Sequence, residues 1–138
     1  MIEILYEDNH ILVAVKPPNM PSQEDASGDP DILTILKQDI KERYNKPGNV
    51  YLGLVHRLDR PVGGVMVFAR TSKAASRLSD DVRTRNIHKR YLAVVHGRPP
   101  HQYDRLEHYL VKNASTNMVS VTTAQDPQGK RAALEYEV

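Results

Sequence analysis

The stretch from Val50 to Ala69 constrains the fold most, because it places a charged pentapeptide between two apolar segments. Residues 50–55 are typical of a strand, and residues 65–69 form a continuous apolar run. Between them stand His56-Arg57-Leu58-Asp59-Arg60 and a turn-forming Pro-Val-Gly-Gly sequence. The pattern predicts a strand, a polar loop and a returning strand, and the continuous run predicts burial of the second strand on both faces.

Apolar residues near the N-terminus predict a β-hairpin, since residues 4–6 and 11–15 are rich in Ile, Leu and Val and a turn-prone tetrapeptide separates them. A helix is expected next, capped by Asp29 or Asp31 and extending to about Tyr44. Its apolar stripe comprises Ile32, Leu36 and Ile40.

A second helix is predicted after Thr71 or Ser72, and it extends to about Arg85. Residues 91–95 then favour a strand. Three weaker strand candidates follow, near Leu106–Val111, Met118–Thr123 and Ala132–Val138. Many strands with two helices predict an α+β fold, in which helices pack on a mixed, mainly antiparallel sheet. The length of 138 residues predicts one domain, residues 1–138.

Composition narrows the class of protein. The chain has no Cys, which excludes disulfides and thiolate metal sites and fits a reducing cytoplasm. No apolar stretch approaches the roughly 20 residues that a membrane-spanning helix needs. The acidic first eight residues do not resemble a secretory signal. We therefore expect a cytoplasmic protein without a membrane partner.

Charge is distributed unevenly along the chain. Residues 1–55 carry a net charge of −4, residues 56–105 a net charge of +7 and residues 106–138 a net charge of −1, although the whole chain carries only +2. A middle third this basic predicts a surface for a polyanion. Solvated helix and loop faces explain the same charges about equally well.

Asp59 is the candidate catalytic residue of the pentapeptide. Arg57 and Arg60 would keep its carboxylate ionised and in place. Taken alone, the residue fits a salt-bridged loop position better than a catalytic one. A metal site on His56 and Asp59 is not supported, because no third ligand stands at a recognisable spacing.

The pentapeptide, followed by Gly64 and the segment Val65-Met66-Val67-Phe68-Ala69-Arg70-Thr71, resembles the signature of the RluA-type pseudouridine synthases. Flanking segments support the resemblance. Val13-Ala14-Val15-Lys16-Pro17 is similar to the family's N-terminal hairpin, and Lys89-Arg90-Tyr91-Leu92-Ala93 is similar to its Lys-x-Tyr strand. Lys130, Ala132 and Tyr136 match the strand that usually follows.

The resemblance implies a cofactor-free and metal-free isomerase that converts uridine to pseudouridine in structured rRNA or tRNA. It implies that Asp59 is the essential carboxylate, that Tyr91 is catalytic and lies against the target base, and that Arg57 fills the space left by the flipped base. The basic face would bind RNA phosphates. Its candidate RNA-binding residues are His56, Arg57, Arg60, Arg70, Lys73, Arg85, Lys89 and Arg90.

The sequence also departs from the family pattern. Val62-Gly63-Gly64 replaces the usual Thr-Ser-Gly, and Leu134 stands where the family more often has Thr. No N-terminal RNA-binding domain of S4 type is expected, and the family's later Arg-bearing strand does not occur in these 138 residues. The alternative is therefore a catalytic fold that is incomplete at its C-terminus, a fragment or a non-catalytic RNA-binding remnant. Its open sheet edge would favour self-association.

Overall fold

The computed structural model describes residues 2–138 and divides the chain into two compact units, Met1–Arg90 and Tyr91–Val138. The first unit contains a four-stranded sheet and two helices, and the second contains a three-stranded sheet. Every strand pair in both sheets is antiparallel. The predicted α+β class with mainly antiparallel sheet is confirmed.

The first sheet comprises β1 (Glu3–Glu7), β2 (Ile11–Lys16), β3 (Gly53–Leu54) and β4 (Gly64–Ala69), in the order β1-β2-β4-β3. The predicted N-terminal hairpin is β1 paired with β2. Because β4 lies between β2 and β3, the loop that precedes β4 is attached to the centre of the sheet.

Both predicted helices are present, as α1 (Ile32–Arg43) and α2 (Ser72–Arg83). Asp31 caps α1 and Thr71 caps α2, and each side chain accepts a hydrogen bond from the backbone N–H three residues on, at 2.9 and 3.1 Å. These bonds satisfy N–H groups that a helix start leaves without partners. The second helix ends two residues earlier than predicted.

The core of the first unit lies between its sheet and α1. Leu12 on β2 lies opposite Phe68 on β4, and Ala14 lies opposite Met66; all four are fully buried. The predicted stripe of α1 packs in the same cluster: Ile32, Leu36 and Ile40. The prediction that β4 is buried on both faces was wrong at its start, because Val65 points away from this cluster and is 57% exposed.

The strand predicted over residues 50–55 is much shorter than expected. Only Gly53 and Leu54 pair, with Ala69 and Phe68 of β4. Beyond Leu54 the backbone leaves the sheet. The next hydrogen bond from β4, donated by the Val67 N–H, goes to the side chain of His56.

The second unit contains β5 (Tyr103–Lys112), β6 (Val119–Thr122) and β7 (Lys130–Glu137), with β5 in the centre. These three strands confirm the three weaker candidates. The strand predicted over residues 91–95 was wrong, because this segment pairs with no strand within residues 2–138. Its Leu92 and Val94 are fully exposed, since a β-like sequence forms a strand only where a neighbour supplies hydrogen bonds.

Candidate active site

The pentapeptide forms an extended loop between β3 and β4, and Asp59 stands near its end. The Val62 N–H donates to the Asp59 carbonyl at 3.0 Å and closes a turn after the carboxylate. Gly64 then begins β4 with a φ of 150°, which favours glycine. Packing favours glycine at position 63 as well, since a Cβ there would lie 3.2 Å from Pro18.

Ser22 holds the loop one residue before Asp59. Its hydroxyl donates to the Leu58 carbonyl at 2.7 Å, and the Leu58 N–H donates back to the same oxygen at 3.2 Å. Ser22 is buried, with only 6% of its surface exposed. One side chain thus satisfies both backbone groups of Leu58, as a neighbouring strand would.

Lys16 holds the loop one residue after Asp59. Its ammonium donates to three carbonyl oxygens, those of Pro17 at 3.1 Å, Met20 at 2.7 Å and Arg60 at 3.2 Å. An ammonium has three donors, so all of them are satisfied although the residue is fully buried. Burial lowers the pKa of Lys16, and the negative charge of Asp59 offsets only part of this lowering. The lysine therefore places a buried positive charge near the candidate carboxylate.

His56 fixes the start of the pentapeptide to the sheet. Its Nε2 accepts a hydrogen bond from the Val67 N–H of β4 at 3.0 Å. This bond replaces the backbone partner that β3 no longer provides, and it requires an unprotonated Nε2. Burial lowers the pKa of His56, and the positive charge of Lys89 lowers it further. The neutral imidazole is thus favoured in the folded protein.

Arg57, Asp59 and Arg60 are the exposed residues of the pentapeptide, and Arg60 pairs with Asp29. Leu58, between them, is partly buried and packs against the core cluster. Within residues 2–138 neither Asp59 nor Arg57 forms an ion pair. The salt-bridged loop reading of Asp59 therefore has no partner in the described chain, and the loop presents a carboxylate and a guanidinium to solvent.

Two of the predicted RNA-binding arginines are engaged within the first unit. Arg60 pairs with Asp29 and donates to the Ser27 hydroxyl at 3.0 Å. Arg70 is mostly buried and pairs with Glu7 at 3.0 Å. The same Arg70 nitrogen donates to the Asp8 carbonyl at 2.5 Å. These two side chains hold parts of the fold together.

The other predicted basic residues of the first unit are exposed: Lys73, Arg85, Lys89 and Arg90. Lys73 lies in the first turn of α2, and Arg85 follows that helix with a φ of 61°. Tyr91, the second predicted catalytic residue, is the first residue of the second unit and is 63% exposed. The first unit thus contains Asp59 and all eight predicted RNA-binding residues.

Sequence reasoning missed Lys16 and Ser22 as parts of the site. The sequence does contain a signal for the burial of Lys16, because this residue follows Leu12 and Ala14 at the alternating, inward-facing positions of β2. Ser22 has none, since it lies in a loop and its partner is 36 residues away. No group of three His, Cys, Asp or Glu residues within residues 2–138 could hold a metal ion. Across the same residues, no helix has the length and apolar character to cross a membrane.

Replacing the buried lysine by Lys16→Met should destabilise the protein by about 3 kcal/mol, because three carbonyl oxygens lose their donor. Urea denaturation measures this change. Lys41→Met, at an exposed lysine of α1, is the matched control and should change the free energy of unfolding by less than about 0.5 kcal/mol. Equal effects of the two substitutions would contradict the role given to Lys16.

Stability should also depend on pH through His56. Its pKa is lowered from 6.5 in the folded state, so below pH 6.5 the unfolded chain takes up a proton here that the folded chain does not. The free energy of unfolding should therefore fall as the pH falls from about 7.5 through the folded pKa. Urea denaturation across this range measures the slope.

The control for this pH dependence is His56→Gln, whose amide oxygen accepts from the Val67 N–H but does not titrate. The variant should lose that part of the slope. Asp8, Asp25 and Asp29 also have lowered pKa values, but from an ordinary value of 3.8, so they act at more acidic pH. An unchanged slope in the glutamine variant would show that His56 does not titrate in this way.

The chain matches known proteins over nearly its whole length. The family model described as RNA pseudouridylate synthase matches residues 10–138. Ribosomal large subunit pseudouridine synthase C of Buchnera aphidicola is 32% identical over 135 residues, which are 98% of this chain and 41% of that protein. Ribosomal large subunit pseudouridine synthase D of Xanthomonas campestris is 40% identical over 96 residues, 70% of this chain and 28% of that protein.

A solved structure gives the same fold. Human RNA Pseudouridylate Synthase Domain Containing 4 superposes with a TM-score of 0.73 at 21% identity, over 99% of this chain and 53% of that one. The chain thus spans less than half the length of the two bacterial relatives. With the tethered Asp59 loop and the match over residues 10–138, the chain belongs to the RNA pseudouridylate synthase family, and its similarity to synthases C and D supports the RluA type.

Proposed function

We propose that this protein isomerises uridine to pseudouridine in structured RNA, rRNA or tRNA. The bond between C1′ of the ribose and N1 of uracil breaks, and a bond forms between C1′ and C5. C5 loses its proton and N1 gains one, so atoms and electrons balance without an oxidant or reductant. No metal or cofactor is expected, because the reaction only exchanges one bond and one proton position.

The observation that carries the proposal is the tethering of the Asp59 loop. Ser22 binds the residue before Asp59, Lys16 binds the carbonyl of the residue after it, and His56 attaches the loop to β4. The carboxylate itself stays exposed and without an ion pair among residues 2–138. A catalytic group needs this combination, a fixed backbone with a reactive side chain left accessible to substrate.

Arg57 and Tyr91 receive the two further roles in the reaction. The target uridine must leave the RNA stack, which costs a few kcal/mol. Arg57 is exposed on the same loop as Asp59, so its guanidinium is our candidate for filling the space that the base leaves. We expect Tyr91 to contact the displaced base and assist proton transfer, as the family resemblance implies.

Exposed cations are the candidates for phosphate contacts, which would weaken steeply with salt. We expect the main contacts from Arg57, Lys73, Arg85, Lys89 and Arg90. His56, Arg60 and Arg70, which the sequence also assigns to RNA, should contribute less because their side chains are engaged within the protein.

We expect the protein to act in the cytoplasm, because an RNA substrate, an absence of Cys and this reaction all fit that compartment.

Asp59→Asn should reduce pseudouridine formation at least about a thousandfold, because it removes the carboxylate at nearly constant shape. Tritium release from RNA carrying 5-tritiated uridine measures the reaction, since C5 loses its hydrogen. RNA affinity should not fall, because the change removes a negative charge near phosphates. Asp80→Asn, at an exposed carboxylate of α2, is the matched control and should retain activity.

The same assay decides between the enzyme and a non-catalytic RNA-binding protein. Wild-type protein that binds RNA but releases no tritium would refute the enzyme proposal for this chain. Protein that neither binds RNA at low salt nor isomerises uridine would refute both.

We also propose that the second unit associates with another copy of the chain. Adjacent residues of a strand point to opposite faces, and one face of this sheet carries an apolar set: Leu106, Leu110, Val119, Val121 and Leu134. Lys112 and Lys130 lie on the same face, opposite Val119 and Leu110. Val121 is 66% exposed and Leu134 is 55% exposed. No residue between Tyr91 and Val138 is buried. A three-stranded sheet is stable only when its apolar face is covered. The same apolar face of a second copy would provide that cover.

Sedimentation velocity should therefore show a dimer at tens of micromolar protein or below. Val121→Lys places a charge on the apolar face and should shift the protein to monomer. Ser120→Lys makes the same addition one residue earlier, on the opposite face, and should leave the dimer intact. A wild-type protein that is monomeric at all concentrations would exclude self-association.

A further inference from the structure

A polar cavity lies in the first unit at the far end of its sheet from Asp59. Strand β4 runs from Gly64, beside the Asp59 loop, to Ala69, a length of about 17 Å for six residues. The cavity has a volume of about 260 Å³ and lies beyond Ala69, where the β1–β2 turn, the end of α1 and the start of α2 meet. Isomerisation at Asp59 makes no use of it.

Lys46 and Asn49 enter the cavity from the turn that follows α1. The turn contains Asn45 with a φ of 46° and Gly48 with a φ of 77°. The Lys46 N–H donates to the Lys41 carbonyl at 3.0 Å, which fixes the turn against the helix end. Within residues 2–138 the Lys46 ammonium makes no ion pair. The cavity therefore receives a positive charge that the protein does not neutralise.

Arg70 lies in the wall of the cavity as a fixed guanidinium whose charge Glu7 neutralises. Glu7 and the Asp8 carbonyl both bind its Nη1, and the guanidinium lies 5.1 Å from the centre of the Tyr44 ring. Within the described chain no hydrogen bond uses its Nε or Nη2. Because the side chain is held in place, those donors are available to a ligand at little further cost in conformational entropy.

The remaining lining defines the chemistry of the ligand. Asn9 and Asn49 add amide groups, Tyr51 adds a ring with a hydroxyl, and no carboxylate lines the cavity. The unpaired Lys46 ammonium, the two unused nitrogens of Arg70 and the two amides suit a small oxygen-rich anion. The volume lies below the range of 300–1,000 Å³ usual for larger ligands, which suits a phosphate with its attached sugar.

We propose that this cavity binds a phosphate group, with Lys46 as its charged ligand and the Nε and Nη2 of Arg70 as hydrogen-bond donors. The phosphate is either a phosphodiester of RNA or a free phosphomonoester such as a nucleotide. The site is separate from Asp59, so a test of phosphate binding can fail without affecting the isomerase proposal, and the reverse also holds.

The test is a titration of the isotopically labelled full chain with inorganic phosphate at constant ionic strength, followed by NMR. The side-chain amide signals of Asn9 and Asn49 should shift and saturate. Lys46→Gln should weaken binding by roughly fivefold or more. Lys41→Gln, which removes an equal charge outside the cavity, should leave binding within about twofold.

A parallel titration with single-stranded oligouridylate and uridine 5′-monophosphate distinguishes the two sources. Tighter binding of the oligonucleotide, with a salt dependence that Lys46→Gln lowers by about one ion, identifies an RNA phosphodiester. Tighter binding of the monophosphate identifies a free phosphomonoester. Shifts that do not saturate, or equal losses in the Lys46 and Lys41 variants, would overturn the proposal. Asp59→Asn should leave the titration unchanged, whatever its activity.

Discussion

The buried ammonium of Lys16 is the interaction on which the candidate active site depends. A lysine is rarely fully buried, because removing its charge from water is expensive unless every donor is satisfied. Here the carbonyls of Pro17, Met20 and Arg60 satisfy all three donors. Those carbonyls belong to two loops that are 40 residues apart in sequence. The charge therefore stabilises the fold only when the two loops meet, and their meeting determines where Asp59 stands.

The sheet and this lysine reinforce each other. Strand β2 has inward positions at Leu12, Ala14 and Lys16, and β4 meets it residue for residue down to Gly64. The apolar pairs are buried against α1, and the lysine marks the point where the core ends and the loops begin. On the other side of β4, β3 ends after two residues and the His56 ring accepts the next N–H. The loop is thus attached to β2 through Lys16 and to β4 through His56.

Much of the first unit could be predicted because its signals are local. Helix caps at Asp31 and Thr71 and the hairpin of β1 and β2 depend on residues a few positions apart. The length of β3 depends on the hydrogen bond from the Val67 N–H to the His56 ring, and no sequence pattern shows that a side chain will replace the backbone there. The role of Ser22 could not be predicted either, because its partner Leu58 is 36 residues away. The segment 91–95 has a strand-like composition, but a strand also needs a partner, and composition does not supply one.

The charge asymmetry of the sequence acquires a different meaning once the ion pairs are known. Part of the basic middle third is neutralised by the acidic first third, since Arg60 pairs with Asp29 and Arg70 with Glu7. Glu7 also accepts a hydrogen bond from the Tyr44 hydroxyl at 3.1 Å. Its carboxylate therefore connects β1 with the end of α1 and, through Arg70, with the end of β4. Other cations of the middle third form no ion pair within residues 2–138: Arg57, Lys73, Arg77, Arg85, Lys89, Arg90 and Arg98. A charge run alone cannot separate the two groups. The arginines that consolidate the fold are those with an acidic partner from residues 1–55, and the unpaired cations are the ones that a polyanion can attract.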